Sequence, residues 1–128
     1  MKPQLVPQPQ SVRFKKGFFE VPRHAAVGIS DRSLHETAKK IGAFFKSSSV
    51  GMIISGLRDP VSLRIDTGLK EDAYRLKIAG DGIEIEGSSA RAVFHASQTL
   101  RQIMEQAEGG RLPRLEIDDW PDFPDRGV

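Results

Sequence analysis

The sequence has no cysteine. That excludes disulfides and thiolate metal ligands, and it leaves the compartment open. No charge of one sign dominates: 19 lysines and arginines stand against 17 aspartates and glutamates, a formal net charge of +2. The two signs are interspersed. No stripe can follow a polyanion, so Lys15-Lys16 and Lys39-Lys40 read as solvated surface and no nucleic acid is expected. No apolar run approaches membrane-spanning length, so no membrane partner is expected either. The N-terminus MKPQLVPQPQ lacks the apolar core of a signal peptide. The expectation is a chain without a leader, cytoplasmic rather than exported, although a trimmed chain would read alike. What remains, at 128 residues, is one domain's worth, enough to bury a modest core.

What is there centres on residues 72–106. Tyr74, Leu76 and Ile78 alternate with Arg75, Lys77 and Ala79, the period of a strand. Asp81-Gly82 tolerates the backbone of a tight hairpin turn. Ile83 and Ile85 then alternate with Glu84 and Glu86. Gly87 breaks the pattern, and Ser88 or Ser89 offers a helix cap. From Ala90 the period changes: Val93, Phe94, Ser97, Leu100, Ile103, Met104 and Ala107 form one apolar stripe. Arg91, Gln98, Arg101, Gln102 and Glu105 fall mostly off it. Gly109-Gly110 ends the run.

Before this stretch, Pro3, Pro7 and Pro9 make the N-terminus an extended lead-in. Val12 and Phe14 predict a strand, Lys16-Gly17 a turn, and Phe18 to Val21 its partner strand, stopped by Pro22. Ala25 to Ser30 reads as a third short strand. Ser33 with Glu36 fits a capping box, and Leu34, Ala38, Ile41 and Phe45 mark the buried face of a helix to about Lys46. Ser47-Ser48-Ser49 reads as a loop. Met52 to Ser55 and Val61 to Asp66 are strand-like, joined by a turn at Asp59-Pro60. After the long helix, Arg114 to Asp118 is a last short strand. About seven or eight strands and two helices predict an α+β fold: a mixed, mostly antiparallel sheet with both helices on one face.

The residues offer little chemistry. His35-Glu36 opens like a zinc-protease helix, but Lys39 stands where the second histidine is needed; the glutamate reads as a cap. His95 reads as a packed side chain on the long helix, with no histidine or cysteine partner for a metal. His24 carries no signal. Gly80-Asp81-Gly82 joins two strands and is no phosphate cradle. Gly87-Ser88-Ser89 does precede a helix, where capping is favoured over an anion. Asp118-Asp119 are adjacent on a strand, so they point to opposite faces and make a poor acid–base pair. No catalytic, metal or cofactor residue is assigned. The tail DWPDFPDRGV carries Trp120 and Phe123 between prolines, aromatics that are costly to leave in water. Arg126-Gly127-Val128 reads as the start of a further strand.

Three stretches carry a family likeness: LVPQPQSV at 5–12 with Gly17-Phe18-Phe19 following, ARAVFHASQTLRQI at 90–103, and IDDWPDFPDRGV at 117–128. Together they resemble the N-terminal, non-catalytic domain of bacterial β-N-acetylhexosaminidases of glycoside hydrolase family 20. His95-Ala96 replaces the more familiar tyrosine-glycine. The resemblance implies a zincin-like fold without the metal centre over residues 1–118. It makes 119–128 the link into a catalytic barrel and that barrel's first residues. It implies a parent enzyme that removes terminal N-acetylhexosamine with retention. There the substrate's acetamido group attacks the anomeric carbon, an aspartate orients it, and the neighbouring glutamate is acid and base. This sequence contains no Asp-Glu dipeptide, so the chain alone is expected not to catalyse. Arg126 matches the family arginine that hydrogen-bonds hydroxyls of the terminal sugar, a task suited to a fixed fork of donors. The implied partners are the chain's own barrel and, through it, an N-acetylhexosaminide; no cofactor is implied. In the family both helices lie between sheet and barrel, so the fragment is expected to leave an apolar helix face open or to hide it by self-association. The alternatives are an accessory domain of a family 84 or α-glucuronidase-type glycosidase, or a free-standing carbohydrate- or protein-binding module.

Overall fold

The computed structural model describes residues 3–54, 59–107 and 109–121. Its strands are β1 (Ser11–Glu20), β2 (His24–Ile29), β3 (Ser47–Met52), β4 (Val61–Ile65), β5 (Tyr74–Ala79), β6 (Gly82–Gly87) and β7 (Arg111–Asp119); its α-helices are α1 (His35–Gly42) and α2 (Ala90–Gln106). The strands form one seven-stranded sheet in the order β1-β7-β5-β6-β4-β2-β3. The fold is α+β. Pairs β1–β7, β7–β5 and β5–β6 are antiparallel. Pairs β6–β4, β4–β2 and β2–β3 are parallel. The parallel share exceeds what a chain of adjacent hairpins would give, because among the described strands only β5 and β6 pair as a hairpin.

Alternation decides which side of the sheet is covered. Leu76, Ile78, Ile83, Ile85, Val61, Leu63, Leu115 and Ile117 are buried on one face. Against them lie Val93, Ala96, Leu100 and Ile103 of α2, with Leu34, Ala38 and Ile41 from the first helical segment. The helices touch each other as well as the sheet, so both sit on one face. Gly87 is what lets α2 come close. A Cβ there would meet the Val93 backbone nitrogen at 2.7 Å. Ser89 caps α2 by accepting from the Ala92 N–H at 3.2 Å.

The other face of the sheet balances its own charge. Register places Arg75 between Asp118 and Glu86, and Lys77 between Glu116 and Glu84. Arg13 stands across from Glu116, and Arg64 across from Glu86. Arg75 Nε donates to Asp118 Oδ1 at 2.8 Å, and Arg13 Nη2 donates to Asp118 Oδ2 at 3.2 Å. The Asp118 hydrogen bond and charge hold the Arg75 guanidinium more firmly protonated than usual. Opposite charges in facing positions favour this register.

Several expected boundaries move. The Lys16-Gly17 turn is a bulge inside one continuous strand: β1 faces β7 from end to end, and register shifts between Phe14 and Phe18. Gly17 takes φ +98°, and Arg114 packs where its Cβ would be. The Ser33–Glu36 capping box does not form. Asp31 accepts from the Ser33 N–H at 2.8 Å in a 3₁₀ turn, and hydrogen bonding from the Ser33 side chain, then from its backbone, lowers the Asp31 pKa. Helix α1 starts after that turn and ends at Gly42. Its C-terminal side then tightens into Phe44→Ile41 and Phe45→Gly42 backbone bonds. The expected serine loop is strand β3, parallel to β2. Its side chains lie at the sheet's edge, where no alternation is demanded of them. The expected 52–55 strand does not follow: β3 ends at Met52, Ser55 lies outside the described residues, and β2 separates β3 from β4. β7 is longer than expected, starting at Arg111.

Candidate functional site

The N-terminal lead-in is a strap laid along the outer side of α2. Among the described residues none pairs with it as a strand, so its peptide groups need other partners. Two glutamines supply them. Gln106 Oε1 accepts from the Gln4 N–H at 2.8 Å, and its Nε2 donates to the Gln4 carbonyl at 2.7 Å. One turn earlier, Gln102 Oε1 accepts from the Val6 N–H at 2.8 Å, and its Nε2 donates to the Val6 carbonyl at 2.9 Å. Each side-chain amide thus does for one residue what a neighbouring strand does in a sheet. Leu5, between the two gripped residues, is buried in the core.

The strap then crosses to the chain's exit. The Gln10 N–H donates to Asp119 Oδ1 at 3.0 Å, and Gln10 Nε2 donates to the Trp120 carbonyl at 3.3 Å. Asp118 and Asp119 do point apart: Asp118 serves the charged sheet face and Asp119 holds the strap.

Between strap, α2 and Trp120 lies an open groove of about 690 Å³. Arg91, His95, Gln98 and Gln102 line it from α2, and Pro7 and Gln10 from the strap. Under its floor the Tyr74 hydroxyl and Thr99 Oγ1 are 2.7 Å apart in a buried hydrogen bond. Burial chiefly raises the Tyr74 pKa, to about 12, and the nearby Asp119 charge adds to this, while the Thr99 bond opposes it. Trp120, 36% exposed, carries Lys70 over its ring at 5.4 Å.

His95 is not the packed side chain expected; it is exposed on the groove side of α2, its ring 6.1 Å from that of Phe94. The residues that pack inward are Ala92, Val93, Ala96 and Leu100. Nor does α2 leave an apolar face open. The sheet closes that face, and the outer side is polar, with Arg91, His95, Arg101 and Glu105 exposed. His35 and Lys39 are exposed on α1. The His24 ring is 3.1 Å from Ser47 Oγ. Gly80-Asp81-Gly82 is the β5–β6 turn. Among the described residues no three histidine, aspartate or glutamate side chains gather where a metal could be held. Arg126 and Phe123 lie outside the described residues. The strap's partners were hidden in the sequence by their polarity. The available signal was one amide side chain repeated at 98, 102 and 106 beside a proline-rich segment with free peptide groups.

Residues 2–120 match the family model described as glycosyl hydrolase family 20, domain 2. The chain is 28% identical over 140 residues to a β-hexosaminidase of Porphyromonas gingivalis, covering 96% of this chain and 18% of that protein. It is 27% identical over 136 residues to the N,N'-diacetylchitobiase of Vibrio harveyi, covering 97% of this chain and 14% of that protein. Its fold is similar to part of the Streptomyces plicatus N-acetyl-β-hexosaminidase structure in complex with thio-NAglucal. That match has a TM-score of 0.76–0.78 across forms of the enzyme, and for this complex 0.78 at 21% identity over 96% of this chain and 28% of that one. The chain therefore spans less than a fifth of the length of the curated relatives it matches.

Proposed function

Since the chain belongs to glycosyl hydrolase family 20, domain 2, the accessory, non-catalytic domain of β-hexosaminidases, we propose that it is the platform on which a catalytic barrel is seated. In this reading residues 1–118 are the platform and 119–128 lead into the barrel. The parent enzyme removes terminal N-acetylhexosamine residues, and Arg126 contacts the sugar's hydroxyls once the barrel surrounds it. The family 20 match favours this parent over family 84 or α-glucuronidase-type enzymes.

The observation that carries the proposal is how differently the two broad surfaces are finished. Opposite charges face one another along the rows of the open sheet face. The outer side of α2 carries cations and an amide around a groove, and the chain reaches that groove's rim at Trp120 and Pro121. A barrel joined there is held next to the helix side.

The test compares this chain, the barrel and the two together. The chain alone is expected to release no nitrophenol from an N-acetylglucosaminide and to give no saturable heat with N-acetylglucosamine. The barrel is expected to melt at a higher temperature when the chain is bound. Hydrolysis or saturable sugar binding by the chain alone would overturn the proposal and favour a free-standing module.

A further inference from the structure

The strap occupies only half of a longer track. Arg91, His95, Gln98, Gln102 and Gln106 recur at three- and four-residue steps, so they form one stripe along α2. The strap uses the C-terminal half, where Gln102 and Gln106 each grip one residue's N–H and C=O. The spacing explains the fit. Four helical residues rise about 6 Å, and two residues of extended chain advance about 6.2–6.8 Å. An extended segment therefore meets one glutamine per turn at every second residue. Gln98 is the next amide in the series. It is half-buried and lines the groove, yet the strap leaves the track before reaching it, going to Asp119 through Gln10. Among the described residues the Gln98 side chain has no hydrogen-bond partner and Arg91 no carboxylate.

We infer that the N-terminal half of this stripe is a second peptide-gripping site: Gln98 takes the N–H and C=O of one residue in an extended segment of the catalytic barrel, and Arg91 takes a carboxylate from the same segment. The inference rests on the platform reading and names the contact through which it works. Two observations choose the barrel as occupant. The chain arrives at the groove's rim at Trp120 and Pro121, and the relatives it matches are several times longer than the part it covers. Two arginines, Arg91 and Arg101, and two aspartates, Asp72 and Asp119, line the groove; Arg101 pairs with Glu105 and Asp119 is held by the strap, which leaves Arg91 for a carboxylate of the segment.

The full polypeptide, given a protease site after this domain, is cut so that both halves are folded before they are parted. Their re-association is then titrated by calorimetry. Gln98→Ala is expected to weaken it about tenfold, the effect of losing a paired set of peptide hydrogen bonds. Gln98→Glu, which keeps the acceptor and loses the donor, is expected to weaken it as well. Arg91→Ala is expected to weaken it and to flatten its dependence on salt. In the wild type the Gln98 side-chain amide resonances move on binding, while those of Gln102 and Gln106 stay in place. Wild-type association with unchanged affinity in Gln98→Ala overturns the inference and leaves the platform standing. No association between wild-type halves overturns both. Concentration-dependent dimers of the free chain that Gln98→Ala abolishes assign the groove to a second copy's strap and overturn the barrel as its occupant.

Discussion

Tyr74 is the only tyrosine, so its ionisation can be followed without interference by phenolate absorbance. Burial beneath α2 raises its pKa from 10.0 to about 12, which means the folded state holds the proton more tightly than the unfolded chain. The resulting stabilisation is fully present below pH 10 and is lost as the pH rises through about 12. A proton held that much more tightly on folding is worth about 2–3 kcal/mol. Urea unfolding between pH 9 and 12 is expected to lose that much stability in wild type and not in Tyr74→Phe. A phenolate that titrates at its ordinary value would show that the hydroxyl is not held as described. Gly87 makes a second residue-scale case. Gly87→Ala drives a methyl into the first turn of α2, where backbone cannot yield cheaply, and is expected to cost about 1–3 kcal/mol. Gly51→Ala, in β3, adds a Cβ that meets nothing within 4 Å and is expected to be neutral. Equal urea midpoints for the two variants would remove close approach as the reason for Gly87.

Among the elements, the charged sheet face depends on register, because each opposite-charge pair exists only if its strands are aligned as observed. Arg75→Glu puts a carboxylate between Asp118 and Glu86 and is expected to cost about 1 kcal/mol at low ionic strength. The loss is expected to shrink with added salt; a loss independent of salt would assign the effect to packing. The rows themselves were only partly legible. The β5–β6 hairpin and α2 could be read in sequence because their causes are local: alternation, Asp81-Gly82, then a change of period. Strand order could not, since β1 pairs with β7 and β4 with β2 across long stretches of chain. β3 was missed because an edge strand of small polar residues has no buried side to alternate with. The β1 bulge looked like a turn because Gly17 supplies the same positive φ to either. At the site, the opposed directions of Asp118 and Asp119 were legible, because adjacent strand residues point to opposite faces. The glutamine grip was not, because polar residues off an apolar stripe read as solvent-facing.

On the scale of the whole molecule, the strap joins the two ends of the described chain. Gln4 and Val6 are fastened to α2, and Gln10 is fastened to Asp119 and to Trp120, the only tryptophan. Removing both grips with Gln102→Ala and Gln106→Ala takes away four hydrogen bonds to the strap and the bond from Gln106 Nε2 to the Gln102 carbonyl, all partly open to water, so the expected cost is about 1–3 kcal/mol. The more informative effect is remote. With the strap loose, Gln10 no longer holds Asp119 and Trp120 in place, and Trp120 emission is expected to shift to the red although neither substitution touches it. Amide exchange at Gln4 and Val6 is expected to speed up while the core of α2 keeps its protection, because Leu100 and Ile103 stay packed on the sheet. Unchanged exchange at Gln4 and Val6 would mean that Leu5, buried between them, holds the strap by itself. Fast exchange with unshifted Trp120 emission would mean that the exit is set by β7 alone. Only the combination of both changes makes the glutamine pair the device that fixes how the chain leaves this domain.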